Sequence, residues 1–256
     1  MIKEIIKNRK NQKMAVMLEE AKNQKGLVFV MHGLGGFKEQ PHIEAMANAF
    51  KENNYTVVRF DTTNTLGESD GEFEKATVGN YYEDLQDVIK WASAKSWHEE
   101  PFCLAGHSLG GMCVALFAEN YSEKIKGLAL ISTVVSGKLS AQVKLEERKE
   151  WEKTGWLIKE SKSKPGMIKK LPWSHMIDRQ KYDLLEKVNK LTMPVLLIVG
   201  EKDDTTPPEH QKILYDALLG NKELHIVKNA DHNFREKIEK QELKNIFIDW
   251  IRNQLD

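Results

Sequence analysis

The chain has 256 residues, which is enough to bury a large core within one ordinary α/β domain. Its 38 Lys or Arg residues balance 38 Asp or Glu residues, so no net charge attracts the protein to nucleic acid or to an anionic membrane. Only Cys103 and Cys113 could form a disulfide, and their apolar surroundings favour reduced thiols instead. The sequence shows neither a signal peptide nor an apolar run of membrane-spanning length, so we predict a cytoplasmic protein with no integral membrane segment.

Short apolar runs alternate with longer amphipathic segments along the chain. The first two segments, 3–7 and 13–19, predict an antiparallel hairpin. Six further apolar runs predict the strands of a central sheet, and several are apolar enough to be buried on both faces. These runs span residues 26–31, 55–60, 102–105, 126–131, 194–199 and 223–227.

Apolar residues recur at helical spacing between these predicted strands. Such stripes occur within 43–50 and 82–92, and the clearest one lies at 243–251. Strands that alternate with helices predict βαβ units. We therefore predict an α/β fold with a mostly parallel central sheet flanked by helices.

Residues 133–193 interrupt this alternation, because about sixty residues separate two predicted strands where a plain crossover needs far fewer. The segment opens with a charged helical pattern at 141–153 and continues with a predicted hairpin at 155–160 and 167–171. Between residues 138 and 190, fourteen Lys or Arg face eight Asp or Glu, so this is the basic part of the chain. We predict a core of residues 1–132 and 194–256, with 133–193 inserted as a cap.

The motif Gly-His-Ser-Leu-Gly at 106–110 lies between an apolar run and a helical run. A serine on such a strand–turn–helix becomes an exposed nucleophile, and the glycines leave room for the tight turn. A serine hydroxyl is protonated at neutral pH, so it needs a base, and the base needs a carboxylate to orient it. We therefore predict Ser108 as a nucleophile with two partners.

Acidic residues and a histidine follow the last two predicted strands. Asp203 and Asp204 come after the strand at 194–199, and His232 comes after the next strand. Functional residues collect at the carboxyl ends of strands in open α/β sheets, and the order Ser, Asp, His is a known order of a catalytic triad. His232 is thus the predicted base. Either aspartate could orient it, and Asp204 could instead cap the helix that starts near Pro207.

A glycine-rich loop at 32–36 follows the strand at 26–31. Backbone N–H groups of such a loop can bind the oxyanion that forms during acyl transfer. We predict that the amides of Leu34 and Leu109 form this oxyanion hole.

Several neighbouring residues have structural interpretations. His107 is expected to pack beside the nucleophile, and His32 to brace the oxyanion loop. Asp231 adjoins His232, but neighbours in sequence point in different directions. Cys113 lies in a predicted helix interior, where a thiol behaves as a small apolar group. We assign no chemical step to these four residues.

Four motifs together resemble the signatures of the α/β-hydrolase superfamily over nearly the whole chain. The motifs lie at 32–35, 106–110, 200–207 and 231–232. Two further segments, 59–61 and 67–74, resemble those of cinnamoyl (feruloyl) esterase-like and serine-aminopeptidase-like bacterial hydrolases. The resemblance implies an α/β-hydrolase fold, a triad of Ser108, Asp203 and His232, and a cap that shapes the acyl pocket. The spacing in the family favours Asp203 over Asp204.

The resemblance implies a serine carboxylic ester hydrolase that works through an acyl-enzyme. A monoacylglycerol-type lipase, an amide or peptide hydrolase, and a hydrolase-fold binding protein without turnover stay open as alternatives. The sequence holds no cluster with metal-ligand spacing and no phosphate-loop or dinucleotide motif, so we expect neither a metal nor a cofactor. The expected partner is a small ester substrate and not a nucleic acid, and a homodimer is left open.

The predicted cap offers two sets of substrate-binding candidates. Trp156 and Trp173 could line an apolar acyl pocket, or could instead close a small core within the cap. Four lysines of the predicted hairpin could attract a substrate carboxylate or an anionic lipid surface, although a solvated hairpin is the ordinary interpretation. These lysines are Lys162, Lys164, Lys169 and Lys170.

Overall fold

A computed structural model describes residues 1–161 and 164–255 and contains an eight-stranded sheet in the order β1-β2-β4-β3-β5-β6-β9-β10. Two further strands, β7 and β8, pair with each other. The strands are β1 (Ile2–Lys7), β2 (Lys13–Glu19), β3 (Gly26–Met31), β4 (Tyr55–Phe60), β5 (Phe102–His107), β6 (Ile125–Ile131), β7 (Trp156–Glu160), β8 (Ile168–Pro172), β9 (Val195–Gly200) and β10 (Lys222–Val227).

The strands from β4 to β10 in the large sheet run parallel, and only the hairpin at one edge is antiparallel. β1 pairs with β2, and β2 pairs with β4, in antiparallel register. The remaining neighbours, from β4–β3 to β9–β10, are parallel. The predicted α/β class, with a mostly parallel sheet and an N-terminal hairpin, is confirmed. The parallel strands bring their carboxyl ends to one edge of the sheet.

Helices cover both faces of the sheet and form a three-layer structure. One apolar core lies between the sheet and the pair α1 and α8, and the other includes α2 and α3. None of the helices in the described part of the chain is both long enough and apolar enough to cross a membrane. The helices are α1 (Pro41–Glu52), α2 (Val78–Ala92), α3 (Leu109–Asn120), α4 (Gly137–Gln142), α5 (Leu145–Thr154), α6 (Ser174–Arg179), α7 (Pro208–Ala217) and α8 (Lys237–Gln254).

Local signals fix where two of the core helices begin. The Thr77 side chain accepts a hydrogen bond from the amide of Asn80 at 3.0 Å and so caps α2. Before α8, Glu236 and Glu239 each accept a hydrogen bond from the other's backbone, which is a capping box. Both caps satisfy amides that would otherwise lack partners at the helix ends.

Residues 133–193, here called the insertion, connect β6 to β9. They contain α4, α5 and α6 together with the antiparallel pair β7 and β8, which lies where the sequence predicts a hairpin. Lys162 and Ser163, which belong to the predicted turn of this hairpin, lie outside the described residues. The insertion contacts the core at several points, and Asp178 accepts a hydrogen bond from the amide of Val78 at 2.8 Å.

The charged helical pattern at 141–153 covers the end of α4 and most of α5, because the chain breaks between these two helices. Val143 is extended, and Lys144 has a left-handed conformation with φ of 55°. A side chain at such a φ costs about 1 kcal/mol or more. The Lys144 ammonium lies 2.8 Å from the carboxylate of Asp204, which anchors this bend to the core.

Candidate active site

Ser108 occupies the turn between β5 and α3. Its backbone has φ of 55° and ψ of −116°, a strained conformation that presents the side chain at the tip of the turn. The turn is tight, because a Cβ atom on Gly106 would lie 2.6 Å from the carbonyl oxygen of Gly110. The two glycines of the motif therefore allow the close backbone approach that places the serine at the tip of the turn.

Ser108, His232 and Asp203 form a chain of hydrogen bonds. The Ser108 Oγ lies 3.0 Å from Nε2 of His232, and Nδ1 of the same ring lies 2.8 Å from Oδ2 of Asp203. The three residues come from the loops after β5, β10 and β9, at the shared carboxyl edge of the sheet. In this arrangement the serine hydroxyl donates to the imidazole, and the opposite ring nitrogen donates to the carboxylate.

The loop after β9 holds Asp203 in its ionised form. Its Oδ1 accepts hydrogen bonds from the amides of Thr205 and Thr206, each at 2.9 Å. The Thr206 hydroxyl lies 2.9 Å from Oδ2 and 2.8 Å from the carbonyl oxygen of Ser132. Burial alone would raise the pKa of Asp203, but the hydrogen bonds from His232 and Thr206 outweigh it and lower this pKa below its usual value.

The neighbouring carboxylate, Asp204, points away from His232. Its side chain is 75% exposed and pairs with Lys144. The alternative prediction that Asp204 caps the following helix is wrong, because α7 begins at Pro208 without a side-chain cap. Only one of the two candidate aspartates therefore lies within hydrogen-bonding distance of the imidazole.

The glycine-rich loop after β3 packs directly against the serine turn. A Cβ atom on Gly33 would lie 3.0 Å from Cβ of Ser108, so a side chain there would require the serine turn to shift. The amides of Leu34 and Leu109 have no hydrogen-bond acceptor within the described residues, and both residues line the cavity over Ser108. These free donors suit an oxyanion.

A neutral histidine braces this loop. Nδ1 of His32 donates to the carbonyl oxygen of Gly33 at 2.7 Å, and Nε2 accepts from the amide of Thr62 at 3.1 Å. Burial lowers the pKa of His32, which agrees with a neutral ring. The predicted bracing role of His32 therefore matches its contacts.

His107 supports the backbone of His232. Its Nε2 lies 2.8 Å from the carbonyl oxygen of His232 and donates to it. Its ring packs 4.4 Å from that of His42, measured between centroids. Burial lowers the pKa of His107 well below its usual value and lowers that of His42 to about 3, so both rings are neutral. His107 thus packs against His232 and beside Ser108, where the sequence predicts it.

A buried ion pair lies behind the oxyanion loop. Lys38 Nζ lies 2.8 Å from Oδ2 of Asp61, and the Lys38 amide donates to Oδ1 at 2.7 Å. The two side chains are 1% and 0% exposed, and Glu68 also contacts the ammonium group. Burial alone would raise the pKa of Asp61, but surrounding hydrogen bonds, including those from Lys38 and the Glu68 amide, lower it.

A cavity of about 230 Å³ lies over Ser108 and His232, beneath the insertion. Trp151 lines this cavity and donates from its Nε1 to the carbonyl oxygen of Leu171 at 3.0 Å. The structure does not bring Trp156 or Trp173 to the cavity.

Packing explains this correction to the predicted acyl pocket. Trp156 is 44% exposed on β7, whereas Trp173 packs edge-on against Trp151 with a centroid distance of 5.3 Å. The sequence contains all three tryptophans, but only the fold shows which one faces the serine. Trp151 and Thr206 are therefore contacts that sequence reasoning missed.

The described residues contain no group of three or more His, Cys, Asp or Glu side chains that could hold a metal ion. Cys113 is buried in α3, and burial raises the pKa of its thiol, so it stays protonated.

The three-layer fold, the serine turn and the histidine after the last strand define an α/β hydrolase. The chain belongs to the serine aminopeptidase, S33, family of hydrolases, whose family model matches residues 22–237.

Individual relatives cover a large part of the chain. An uncharacterized 31.7 kDa protein from the traX-finO intergenic region of Escherichia coli is 29% identical over 241 residues, which cover 80% of this chain and 82% of that protein. The mitochondrial palmitoyl-protein thioesterase ABHD10 of Mus musculus is 26% identical over 222 residues, which cover 83% of this chain and 70% of that protein.

Solved structures share the fold over nearly the full length. Est1E from Butyrivibrio proteoclasticus, with ferulic acid bound, superposes with a TM-score of 0.83 at 22% identity and covers 98% of each chain. Mouse alpha/beta hydrolase domain-containing protein 10 gives a TM-score of 0.79 at 23% identity, covering 98% of this chain and 99% of that one. At these identities the likeness shows the fold alone.

Proposed function

We propose that the chain is a serine hydrolase of carboxylic esters that works through an acyl-enzyme, with Ser108, His232 and Asp203 as its catalytic triad. The observation that carries this proposal is the unbroken chain of hydrogen bonds at 3.0 Å and 2.8 Å from the serine hydroxyl to the carboxylate. Such a chain supplies the base and the orienting group that a serine nucleophile needs.

In the first half of the reaction, Ser108 Oγ attacks the carbonyl carbon of the ester. Its proton passes to Nε2 of His232, and Asp203 stabilises the imidazolium that forms. The amides of Leu34 and Leu109 bind the negative oxygen of the tetrahedral intermediate. When the intermediate collapses, the carbon–oxygen bond to the alcohol breaks, and His232 gives the alcohol its proton.

In the second half, water replaces the alcohol. His232 takes a proton from this water, whose oxygen attacks the acyl carbon and again places negative charge between the two amides. Collapse releases the carboxylic acid and returns the proton to Ser108. We also propose that the insertion, residues 133–193, acts as a cap, because its side chains line one wall of the cavity over the serine.

The relatives support esters and thioesters as the substrate class. Est1E was solved with ferulic acid, a phenolic acid, and the mouse relative is a palmitoyl-protein thioesterase. A thioester reacts through the same acyl-enzyme, so the present site suits both bonds. The family description, serine aminopeptidase, makes an amide or peptide the second candidate substrate. A monoacylglycerol-type lipase would also hydrolyse esters, and a preference for long acyl chains would distinguish it from an esterase.

The test compares wild type with Ser108→Ala on one panel of substrates. The panel holds p-nitrophenyl acetate, butyrate, octanoate and palmitate, methyl ferulate, a palmitoyl thioester and an aminoacyl p-nitroanilide. We expect turnover of esters by wild type and a fall of at least about 10,000-fold in kcat for the variant, because the nucleophile is lost. Ser93→Ala, which removes a hydroxyl at the far end of α2, serves as the matched control.

The panel also separates the alternatives. A preference for palmitate or the palmitoyl thioester selects a lipase or thioesterase, and turnover of the anilide alone selects an amide hydrolase. Full ester hydrolysis by Ser108→Ala, or no turnover of any substrate by wild type, contradicts the proposal and favours a binding protein.

We extend the proposal to the cytoplasm as the site of action. Both cysteines are free and buried, and burial raises the pKa of the Cys103 thiol to about 12. Such thiols suit a reducing compartment. The protein is purified without a reducing agent and then denatured, and titration of its thiols should find two free thiols per chain. Fewer than two free thiols would contradict the proposal.

A further inference from the structure

The insertion brings two arginines to the cavity over Ser108. Arg148 comes from α5 and Arg179 from the end of α6, and both line the same cavity as the serine and His232. Arginine is rarely buried without an anionic partner, because moving its charge out of water is costly. The partners of these two side chains therefore matter for what the cavity binds.

Arg179 is 7% exposed and has only neutral hydrogen-bond partners. One terminal nitrogen donates to the Ser140 hydroxyl at 3.0 Å, and the other donates to Nε2 of His175 at 2.7 Å. Nδ1 of that histidine donates to the carbonyl oxygen of Ala76, and burial lowers the pKa of His175 to about 3. The buried Nε of Arg179 has no partner within the described residues.

The backbone around Arg179 leaves it little freedom to move away. A Cβ atom on Gly137 would lie 1.9 Å from the carbonyl oxygen of Arg179, so the two backbones are in close contact. α4 thus packs against the end of α6, and the guanidinium is held at the cavity wall by Ser140 on one side and His175 on the other.

Arg148 is half-buried and has no salt bridge in the described part of the chain. Its guanidinium lies 5.3 Å from the ring centroid of Trp151, which is a cation–π contact. Its Nε is buried without a hydrogen-bond partner, like that of Arg179. Burial lowers the pKa of Arg148, and burial together with the nearby charge of Arg148 lowers the pKa of Arg179 to about 9. Both remain cations at neutral pH and repel each other.

The nearby carboxylates are already paired with other cations. Lys144 binds Asp204, and Lys159 binds Glu147, the acidic residue of the cavity wall. Neither arginine forms a salt bridge with a described carboxylate, although Glu147 and Asp178 act on Arg148 and Arg179, respectively, from a longer distance. A guanidinium fork matches a carboxylate in shape and charge, and each such charge-assisted hydrogen bond is stronger than a neutral one.

From this geometry we propose that the substrate is an anionic ester, with a carboxylate that binds between Arg148 and Arg179 while Ser108 attacks the ester bond. This inference rests on the proposed function and names its substrate class. The bound carboxylate would accept hydrogen bonds from the terminal nitrogens of the two arginines and relieve their mutual repulsion. An uncharged ester of the same length would leave the arginine donors without an anionic acceptor and the two arginines repelling each other.

A second, larger groove offers space for the uncharged arm of such an ester. It has a volume of about 420 Å³ and shares Leu34 and Gln40 with the first cavity. Phe37, Pro41 and Phe234 line it and offer contacts to an apolar group, beside the charged residues Lys159, Glu160, Lys169, Arg235 and Lys240. The substrate then spans both spaces, with its anionic arm under the insertion and its apolar arm in this groove.

The experiment measures kcat/KM for two matched pairs of esters. In the first pair, mono-p-nitrophenyl adipate carries the carboxylate on the acyl arm, and methyl p-nitrophenyl adipate is its neutral counterpart. In the second pair, 4-acetoxybenzoate carries the carboxylate on the leaving arm, and its methyl ester is neutral. The ratio of anionic to neutral kcat/KM, compared between wild type and variants, cancels the intrinsic reactivity of the esters.

We expect wild type to prefer the anionic ester of one pair, which identifies the arm that enters the arginine cavity. Arg148→Gln and Arg179→Gln should each lower this ratio by about 10- to 100-fold, as expected for one lost charge-assisted interaction. Arg148→Lys, which keeps the charge but loses the fork, should fall in between. Lys149→Gln removes a charge from the exposed side of α5 and is the matched control.

Two outcomes overturn the inference while the proposed function stands. One is equal or better turnover of the neutral ester by wild type in both pairs. The other is an anionic preference that survives unchanged in both arginine-to-glutamine variants. Failure of wild type to hydrolyse any of the four esters, in contrast, counts against the ester hydrolase itself. Because Arg148 makes no described hydrogen bond through its guanidinium, its variant tests the idea even if Arg179→Gln fails to fold.

Discussion

Buried charged side chains have oppositely charged partners at the carboxyl edge of the core sheet but lack them in the insertion. In the core, Asp203 is paired with His232 and Asp61 with Lys38, and both carboxylates have lowered pKa values. In the insertion, Arg148 and Arg179 line the cavity and form no salt bridge with a described carboxylate. The comparison indicates that ion pairs in the core hold its side chains in one geometry, whereas the arginines of the insertion can bind an anionic ligand.

Loss of the carboxylate behind the imidazole is the largest effect we expect. Asp203→Asn should lower kcat by roughly 10,000-fold, because an amide no longer fixes the tautomer or stabilises the imidazolium. The loss should be similar for every ester, since the core performs the same step on each. Steady-state kinetics on a neutral and an anionic ester measure it.

The adjacent carboxylate provides the control for this prediction. Asp204→Asn should change kcat less than about 3-fold, because Asp204 is exposed and pairs with Lys144. If the two variants lost equal activity, the assignment of Asp203 as the orienting group would be wrong.

Breaking the buried ion pair behind the oxyanion loop should mainly affect stability. Asp61→Asn leaves the Lys38 ammonium without its buried partner, which should lower the free energy of unfolding by roughly 3–5 kcal/mol. Because the pKa of Asp61 is lowered from 3.8, its contribution is present above about pH 4 and is lost as the pH falls through the folded-state value. Urea unfolding between pH 3 and 7 measures both effects.

An exposed pair is the comparison for this variant. Asp216→Asn, which breaks the Lys212–Asp216 pair on α7, should cost less than about 1 kcal/mol. An Asp61→Asn protein as stable as this control would show that the core does not depend on its paired charge.

A change in the insertion should alter selectivity more than chemistry. Trp151→Leu replaces a large side chain of the cavity wall with a smaller one and so enlarges the cavity. The ratio of kcat/KM between octanoate and acetate esters should therefore shift by about 10-fold. Trp156→Leu, on the exposed side of β7, should shift it less than about 2-fold. Equal shifts in the two variants would restore Trp156 as a pocket residue and remove the distinction between the two tryptophans.

The sequence is sufficient to predict the sheet and the places of the serine, the aspartates and His232. Apolar runs mark buried strands, and the tight turn around Ser108 requires glycines at fixed positions. These features depend on local sequence and on a topology in which parallel strands end at one edge. For that reason the bounds of the predicted strands lie within two residues of the observed ones.

The insertion is harder to predict, because its organisation depends on contacts with the core. Lys144 adopts a left-handed conformation in the middle of a good helical pattern, at a bend where it pairs with Asp204. The helices of the insertion also have weak apolar stripes, so the sequence does not reveal that Trp151 and Arg179 face the cavity. The surplus of basic residues is visible in the sequence, but which of them reach the cavity is a property of the packing.

Covalent labelling of Ser108 tests the central claim most directly. Wild type treated with a fluorophosphonate should gain one adduct per chain by intact mass, and peptide mapping should place it on Ser108. Ser108→Ala should gain none, and Asp203→Asn should react far more slowly, because its imidazole is poorly oriented. A wild-type chain that stays unlabelled, or an adduct that maps to another residue, would contradict the account of an activated serine at the edge of the sheet.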